Sequence, residues 1–220
     1  MEFAQLMRER FSARAFRPEP VPRAVLENAL ALCQRSPSWC NTQPWHLIVA
    51  SGAACENFRT ALYQYALSGA PADSDFPFPA GYHGEFRQRL IECVAQLYSA
   101  VGVARDDRAG AQRQSLENFR FFGAPHVAIL TMEEFLGFYG GVDCGVYIGN
   151  FWLALNDAGV GCIAQAALAM YSGFVRDYFS IPPNRKIVCG FSFGYIDSAH
   201  PVNVYRTARA AGASAVDWLD

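Results

Sequence analysis

The sequence predicts an α+β fold, and three observations carry that assignment. Amphipathic helical patterns fill most of the 220 residues. The apolar strand-like runs are few. They do not alternate regularly with the helices, which argues against a doubly wound parallel sheet.

The elements follow in order. Phe3, Leu6, Met7 and Phe11 are spaced for a short N-terminal helix, and Pro18, Pro20 and Pro22 then mark a rigid connector. A second helix follows with Pro22 near its first turn and Val25, Leu26, Ala29, Leu30 and Cys33 on one face. Pro37 disfavours helix at the residue before it and ends this pattern. A strand is predicted at about 46–51 and a helix from about 53 to 68, closed by Gly69. Helical patterns resume at about 85–101 and 111–122, and a strand at 126–131 comes next. Residues 145–158 are apolar on nearly every side, the mark of a helix buried centrally or between subunits. A short helix near 172–180 and a strand at 186–196 complete the chain before a polar, Ala-rich tail at 197–220. No repeat or composition break divides it, so one domain over 1–220 is expected, with an insertion or lid at about 69–100. Within that insertion, 69–84 is dense in Pro and Gly yet carries Phe76, Phe78 and Tyr82. Rings are unusual in a solvated linker, so this segment is expected to pack against something.

Composition narrows the function classes. Hydrophobic residues make up 52%, charged residues 17% and aromatics 14%. This excess of apolar surface points to an oligomer interface, an aromatic-lined pocket, or both. A net charge of −2 gives no electrostatic footprint for nucleic acid or for a polybasic membrane anchor. Seven scattered cysteines offer no C-x-x-C pair and no zinc spacing, and read as buried small hydrophobes in a reducing compartment. With no signal-peptide pattern and no apolar run near membrane-span length, a cytoplasmic location is expected, with no membrane partner and no metal.

Two segments carry chemistry and one attractive motif does not. Residues 36–46 place Ser38, Trp39, Cys40, Asn41 and Gln43 between Pro37 and Pro44, in a polar, aromatic, backbone-constrained loop of the kind that holds ligands. The alternative is an ordinary connection whose polar groups satisfy local backbone. Arg10, Ser12 and Arg14 offer forked donors and a hydroxyl suited to a phosphate, although a solvated turn would look the same. Gly190-Phe191-Ser192-Phe193-Gly194 matches G-x-S-x-G, with Asp197 and His200 nearby. A hydrolase elbow needs strand, sharp turn and helix, whereas 187–196 reads as one continuous strand. Its glycines are better explained by something approaching the strand closely. No dinucleotide fingerprint is present, since Gly159-x-Gly161 lacks both the third glycine and the preceding strand.

Taken together, Arg10-x-Ser12-x-Arg14-x-Phe16 and Pro37-Ser38-x-x-Asn41-x-Gln43-Pro44-Trp45 resemble the opening of the nitroreductase family. The resemblance continues through Phe121-Phe122-Gly123-Ala124-Pro125, Gln165–Tyr171, Ile181-Pro182, Cys189-Gly190 and Gly194-Tyr195. It ends at Pro201-Val202-Asn203 and Arg206-Thr207-x-Arg209. The branch it is most similar to reduces nitrobenzoates and other nitroaromatics.

The resemblance implies a nitroreductase-like fold with a central mixed sheet flanked by helices, in an intertwined homodimer with FMN at the subunit interface. It implies NADPH or NADH as electron donor and a ping-pong exchange of hydride through flavin N5 that takes aromatic nitro groups to hydroxylamines. Quinone reduction, dehalogenation or a non-catalytic FMN-binding module are the alternatives. Arg10 and Ser12 would bind the FMN phosphate with Arg209 or, second, Arg206. Arg14 would stand at the N1 and C2-carbonyl edge. Ser38, Asn41 and Gln43 would lie beside the ring, and Ala164, Gln165, Ala166 and Ala167 would cross its other side, the Ala166 N–H reaching N5. Trp39, Cys40, Phe78 and Tyr82 would meet the substrate. No side chain is nominated as catalytic, since the flavin carries the chemistry.

Overall fold

The computed structural model describes residues 2–219. Its centre is a four-stranded sheet of β1 (His46–Ser51), β2 (His126–Glu133), β3 (Gly161–Gln165) and β4 (Arg185–Gly194), in the order β1-β2-β4-β3. All three pairings are antiparallel, with Ile48 opposite Ile129, Ile129 opposite Gly190, and Cys162 opposite Phe193. The parallel contribution expected of a mixed sheet is confined to an isolated bridge between Ser12 and Cys162. Strand β2 is buried on both faces, which is why its sequence is a continuous apolar run rather than an alternation.

Helices cover both faces. On one side α3 (Ala53–Leu67) and α7 (Ser172–Phe179) pack Phe58, Leu62 and Val175 against Ile129 and Ile187 of the sheet. On the other, α2 (Arg23–Cys33) and α6 (Gly137–Asp157) pack Leu26, Tyr147 and Phe151 against Leu130 and Phe191. The glycines of β4 serve these contacts. A Cβ on Gly190 would lie 2.5 Å from the Leu168 side chain, and one on Gly194 would lie 2.5 Å from Pro125.

Helix α6 begins eight residues before the predicted 145. Its buried stripe of Gly140, Asp143, Cys144, Tyr147, Phe151 and Leu155 has helical spacing, whereas Phe138, Tyr139, Val142 and Val146 on its other flank are exposed. The all-round apolar character therefore divides between a core face and a face that a single chain leaves open. Helix α4 (Gly84–Ala100) buries no residue at all, with Phe86, Leu90 and Ile91 exposed. The helix predicted at 111–122 is α5 (Arg108–Leu116), followed by a turn in which Phe121 and Phe122 adopt left-handed backbone, φ 57° and 52°. Burial of both rings, with Phe121 5.4 Å from Phe58, is what holds that turn.

The Pro/Gly-dense segment 69–84 is tied down near its start. The Asp73 carboxylate accepts the Gly173 N–H at 3.0 Å, at the start of α7. The Asp75 carboxylate accepts from Arg176 at 2.6 and 2.8 Å and from the Ile187 N–H at 2.7 Å. The tail is tied as well. Buried Asn203 accepts the Arg14 N–H at 2.9 Å and donates to the carbonyls of Ala15 and Asp197, both at 2.8 Å.

Candidate functional site

After α1 (Phe3–Glu9) the chain extends along β3. The Ser12–Cys162 bridge and a 3.3 Å bond from the Ala13 N–H to the Cys162 carbonyl fix it there. Extended backbone alternates its side chains. Ala13 and Ala15 are therefore buried, while Arg10, Ser12 and Arg14 share the half-buried opposite face.

The arginines of this face differ in what they already hold. Arg14 donates to the Ser12 carbonyl at 3.3 Å. Arg206 lies with its guanidinium 3.6 Å over the Phe11 ring and donates to the Asn203 carbonyl at 2.7 Å. Arg209 donates to Thr207 Oγ1 at 2.7 Å. Arg10 lies 4.4 Å over the Trp152 ring and, among the described residues, forms no hydrogen bond or ion pair through its guanidinium. Burial lowers the Arg10 pKa, and the positive charge of Arg209 lowers it further. Two cations close together, one of them partly desolvated with its donors free, make a site that favours an anion.

Strand β3 delivers the second part. It ends at Gln165, and Ala166–Ala169 form a 3₁₀ turn whose first residue, Ala166, is exposed. The N–H at the head of such a turn has no partner within it. With Ala164 and Ala167 beside it, this backbone is open to a flat ligand. The Gln165 side chain points elsewhere. It is 3% exposed, its amide donates to the Asn118 carbonyl at 3.0 Å, and its oxygen accepts from Ser192 Oγ. Only the backbone of Gln165 faces the site. Ser192 is fully buried in that same pair, with neither Asp197 nor His200 bonded to it among the described residues, so Ser192 is not set as a hydrolase nucleophile.

The loop at 36–46 is built by its own polar groups. Both Asp143 oxygens accept the Trp39 N–H, at 3.1 and 3.2 Å. Ser38 Oγ accepts the Gln43 N–H at 2.9 Å, and the Gln43 oxygen accepts from Gln34 at 2.8 Å. Cys40, Asn41 and Gln43 all sit in left-handed backbone, φ 51°, 57° and 48°. Trp39, Cys40 and Asn41 are left exposed, Trp39 in edge contact with Tyr139 at 4.5 Å.

Within one chain the loop starts near the arginine face, where Ser36 Oγ accepts from the Asn150 amide at 2.7 Å, and its tip runs away from it along α6. Trp39 is held at Tyr139 and Asp143, whereas Arg10 is held at Trp152. Nine residues of α6 separate Asp143 from Trp152, about 13 Å at helical rise. Phe78 and Tyr82 are exposed beyond the anchored Asp75 and make no ring contact among the described residues. A cavity of about 510 Å³ lies behind Arg14, against Gln114, Glu117 and Phe122, and another of about 670 Å³ lies against Tyr205. Neither is lined by Ser12, Ala164, Ala166 or Ala167.

Sequence reasoning missed Asp143, Asn203 as the tie between turn and tail, and Trp152. Asp143 alone left a signal, as an acid inside an otherwise apolar helix. The residues present fit FMN. Free donors at Arg10 with Arg209 nearby suit its phosphate, and the open backbone at Ala166, between small side chains, suits its ring.

The chain was compared with known proteins. A family model described as the nitroreductase family matches residues 7–195. Nitroreductase NfnB of Mycolicibacterium smegmatis is 37% identical over 207 residues, 94% of this chain and 88% of the relative. A 4-nitrobenzoate reductase of Pseudomonas putida is 29% identical, covering 94% and 91%. Among solved structures, the FMN-dependent NfnB from Mycobacterium smegmatis in complex with NADPH superposes with a TM-score of 0.94 at 34% identity, over 99% of this chain and 97% of that one.

Proposed function

The chain belongs to the nitroreductase family, and from that premise we propose that it is an FMN-dependent NAD(P)H oxidoreductase that reduces aromatic nitro compounds to hydroxylamines. The observation that carries the reading is the arginine face laid along β3 beside the open Ala166 backbone. Phosphate and ring sites are thereby set on one ledge. When bound, FMN supplies the hydride chemistry. Arg10 and Ser12 would hold its phosphate with Arg209, Arg14 would bring positive charge to the pyrimidine edge of its ring, and the Ala166 N–H would be offered to the ring.

The loop at Ser38–Gln43 completes the site from a second copy of the chain, a reading that rests on the family resemblance and on the apolar surface a single chain leaves exposed. The exposed apolar flank of α6 and the unburied α4 are the surfaces such a homodimer would cover. Trp39 and Cys40 then face the acceptor, with Phe78 and Tyr82 on the insertion above it.

Purified protein should be yellow and should oxidise NADPH or NADH when a nitroarene is added. Protein that stays colourless and takes up no offered FMN would refute the reading. Flavin binding without nitroarene-dependent turnover would leave only an FMN-binding module.

A further inference from the structure

We propose that Trp152 is a positioning residue for the flavin phosphate: its indole face carries the Arg10 guanidinium, and so sets how strongly the protein prefers FMN to phosphate-free riboflavin. The proposal rests on the reading of Arg10 as a phosphate ligand. The Arg10 Cζ lies 4.4 Å from the centroid of the indole. A guanidinium stacked on a ring uses its flat face and keeps its N–H groups, which lie in its plane, free for an anion. Arg10 is the member of the cluster left in that state; Arg14, Arg206 and Arg209 each donate to a backbone carbonyl.

Arg10 also needs such support. It is drawn out of solvent, has the charge of Arg209 nearby, and forms no ion pair among the described residues. The negative face of an indole offsets that cost while leaving the donors unspent. An aliphatic side chain at 152 would pack against the same stem without offering that face. The neighbouring Arg206 also lies over a ring, Phe11, but it spends its Nη1 on the carbonyls of Asn203, Val204 and Tyr205, which leaves Arg10 the better-provided donor.

The test compares two ligands on apo-protein, FMN and riboflavin, by quenching of flavin fluorescence. Trp152→Leu should weaken FMN binding roughly three- to thirty-fold and change riboflavin binding less than twofold, and Trp152→Phe should recover most of the loss. Equal losses for both flavins, or no loss for FMN, would overturn the proposal. Should Trp152→Leu fail to fold, tryptophans carrying increasing numbers of ring fluorines at 152 keep the shape and drain the face. FMN affinity should then fall stepwise with riboflavin flat, and an unchanged FMN affinity overturns the idea. Arg10→Gln separates the two levels of the argument. If it leaves the FMN-to-riboflavin ratio at the wild-type value, the phosphate reading fails, and this proposal with it. If it abolishes the preference while the Trp152 variants keep it, only the role of Trp152 fails.

Discussion

Replacing Asp75 with alanine should be among the most damaging single changes in the chain, and its cost can be worked from the contacts. The Asp75 carboxylate is 8% exposed and receives two bonds from Arg176 and one from the Ile187 N–H. Removing one partner of a buried pair costs about 3–5 kcal/mol, because the remaining charge stays desolvated. Arg176 is 20% exposed and keeps a 3.2 Å bond to the Arg185 carbonyl, which places the cost at the lower end, about 3 kcal/mol. Arg176 Nε already lacks a partner, so the side chain has little slack. At about 2–4 °C per kcal/mol for a chain of this size, the melting temperature should fall by roughly 6–12 °C. Urea unfolding of the FMN-free protein measures the free energy directly. The double variant Asp75→Leu with Arg176→Met should regain much of the loss, since it leaves no orphaned charge. A single variant within about 0.5 kcal/mol of wild type, or a double variant as unstable as the single, would refute this account of how segment 69–84 is anchored.

Two further outcomes follow from other contacts. His126 is buried, accepts the Val21 N–H on Nε2 at 2.8 Å, and therefore carries its proton on Nδ1, 2.6 Å from Ser51 Oγ. Burial lowers its pKa below the ordinary 6.5, so its contribution is present above about pH 6.5 and is lost as the unfolded chain takes up the proton below it. His126→Gln should flatten the fall in stability between pH 7.5 and 5.5, by at most about 1.4 kcal/mol per pH unit; an unchanged slope in urea titrations would count against the assignment. Asp143→Asn leaves one acceptor where two oxygens now meet the Trp39 N–H. It should raise the nitroarene KM roughly fivefold, for a loss near 1 kcal/mol, with kcat and FMN affinity little changed; an unaltered KM would remove Asp143 from the acceptor site.

What could be read in the sequence was what depends on local pattern. Strand β1 at 46–51 and the helix near 172–180 follow from periodicity and breakers. The alternation of Arg10, Ser12 and Arg14 with Ala13 and Ala15 is the ledge itself written in period two. What escaped depends on distant partners. Strand β3 has little β-propensity and exists because it pairs with β4. Gly137, Gly140 and Gly141 argue against helix by propensity, yet α6 begins there, where a Cβ on Gly140 would press on Met132 at 2.8 Å. Asp73 and Asp75 left no local signal because their partners, Gly173 and Arg176, lie about a hundred residues on.

The loop at 36–46 shows why local reading could find a site and still not place it. Left-handed backbone at a residue with a side chain costs on the order of 1–2 kcal/mol, and this loop carries three such residues, Cys40, Asn41 and Gln43. Ser38 Oγ, Gln34 and the Asp143 carboxylate hold that shape. Such strain persists where surrounding contacts over-determine it, and the contacts here come from α2 and α6. The same α6 carries Asp143 toward one end and Trp152 toward the other. One rigid helix thus sets Trp39 and Arg10 about 13 Å apart by helical rise, while Ser36 at the start of the loop accepts from Asn150, two residues from Trp152. That spacing is of the order of one FMN molecule from phosphate to ring, and it is set by α6, which is why a reading of the loop alone could not supply it.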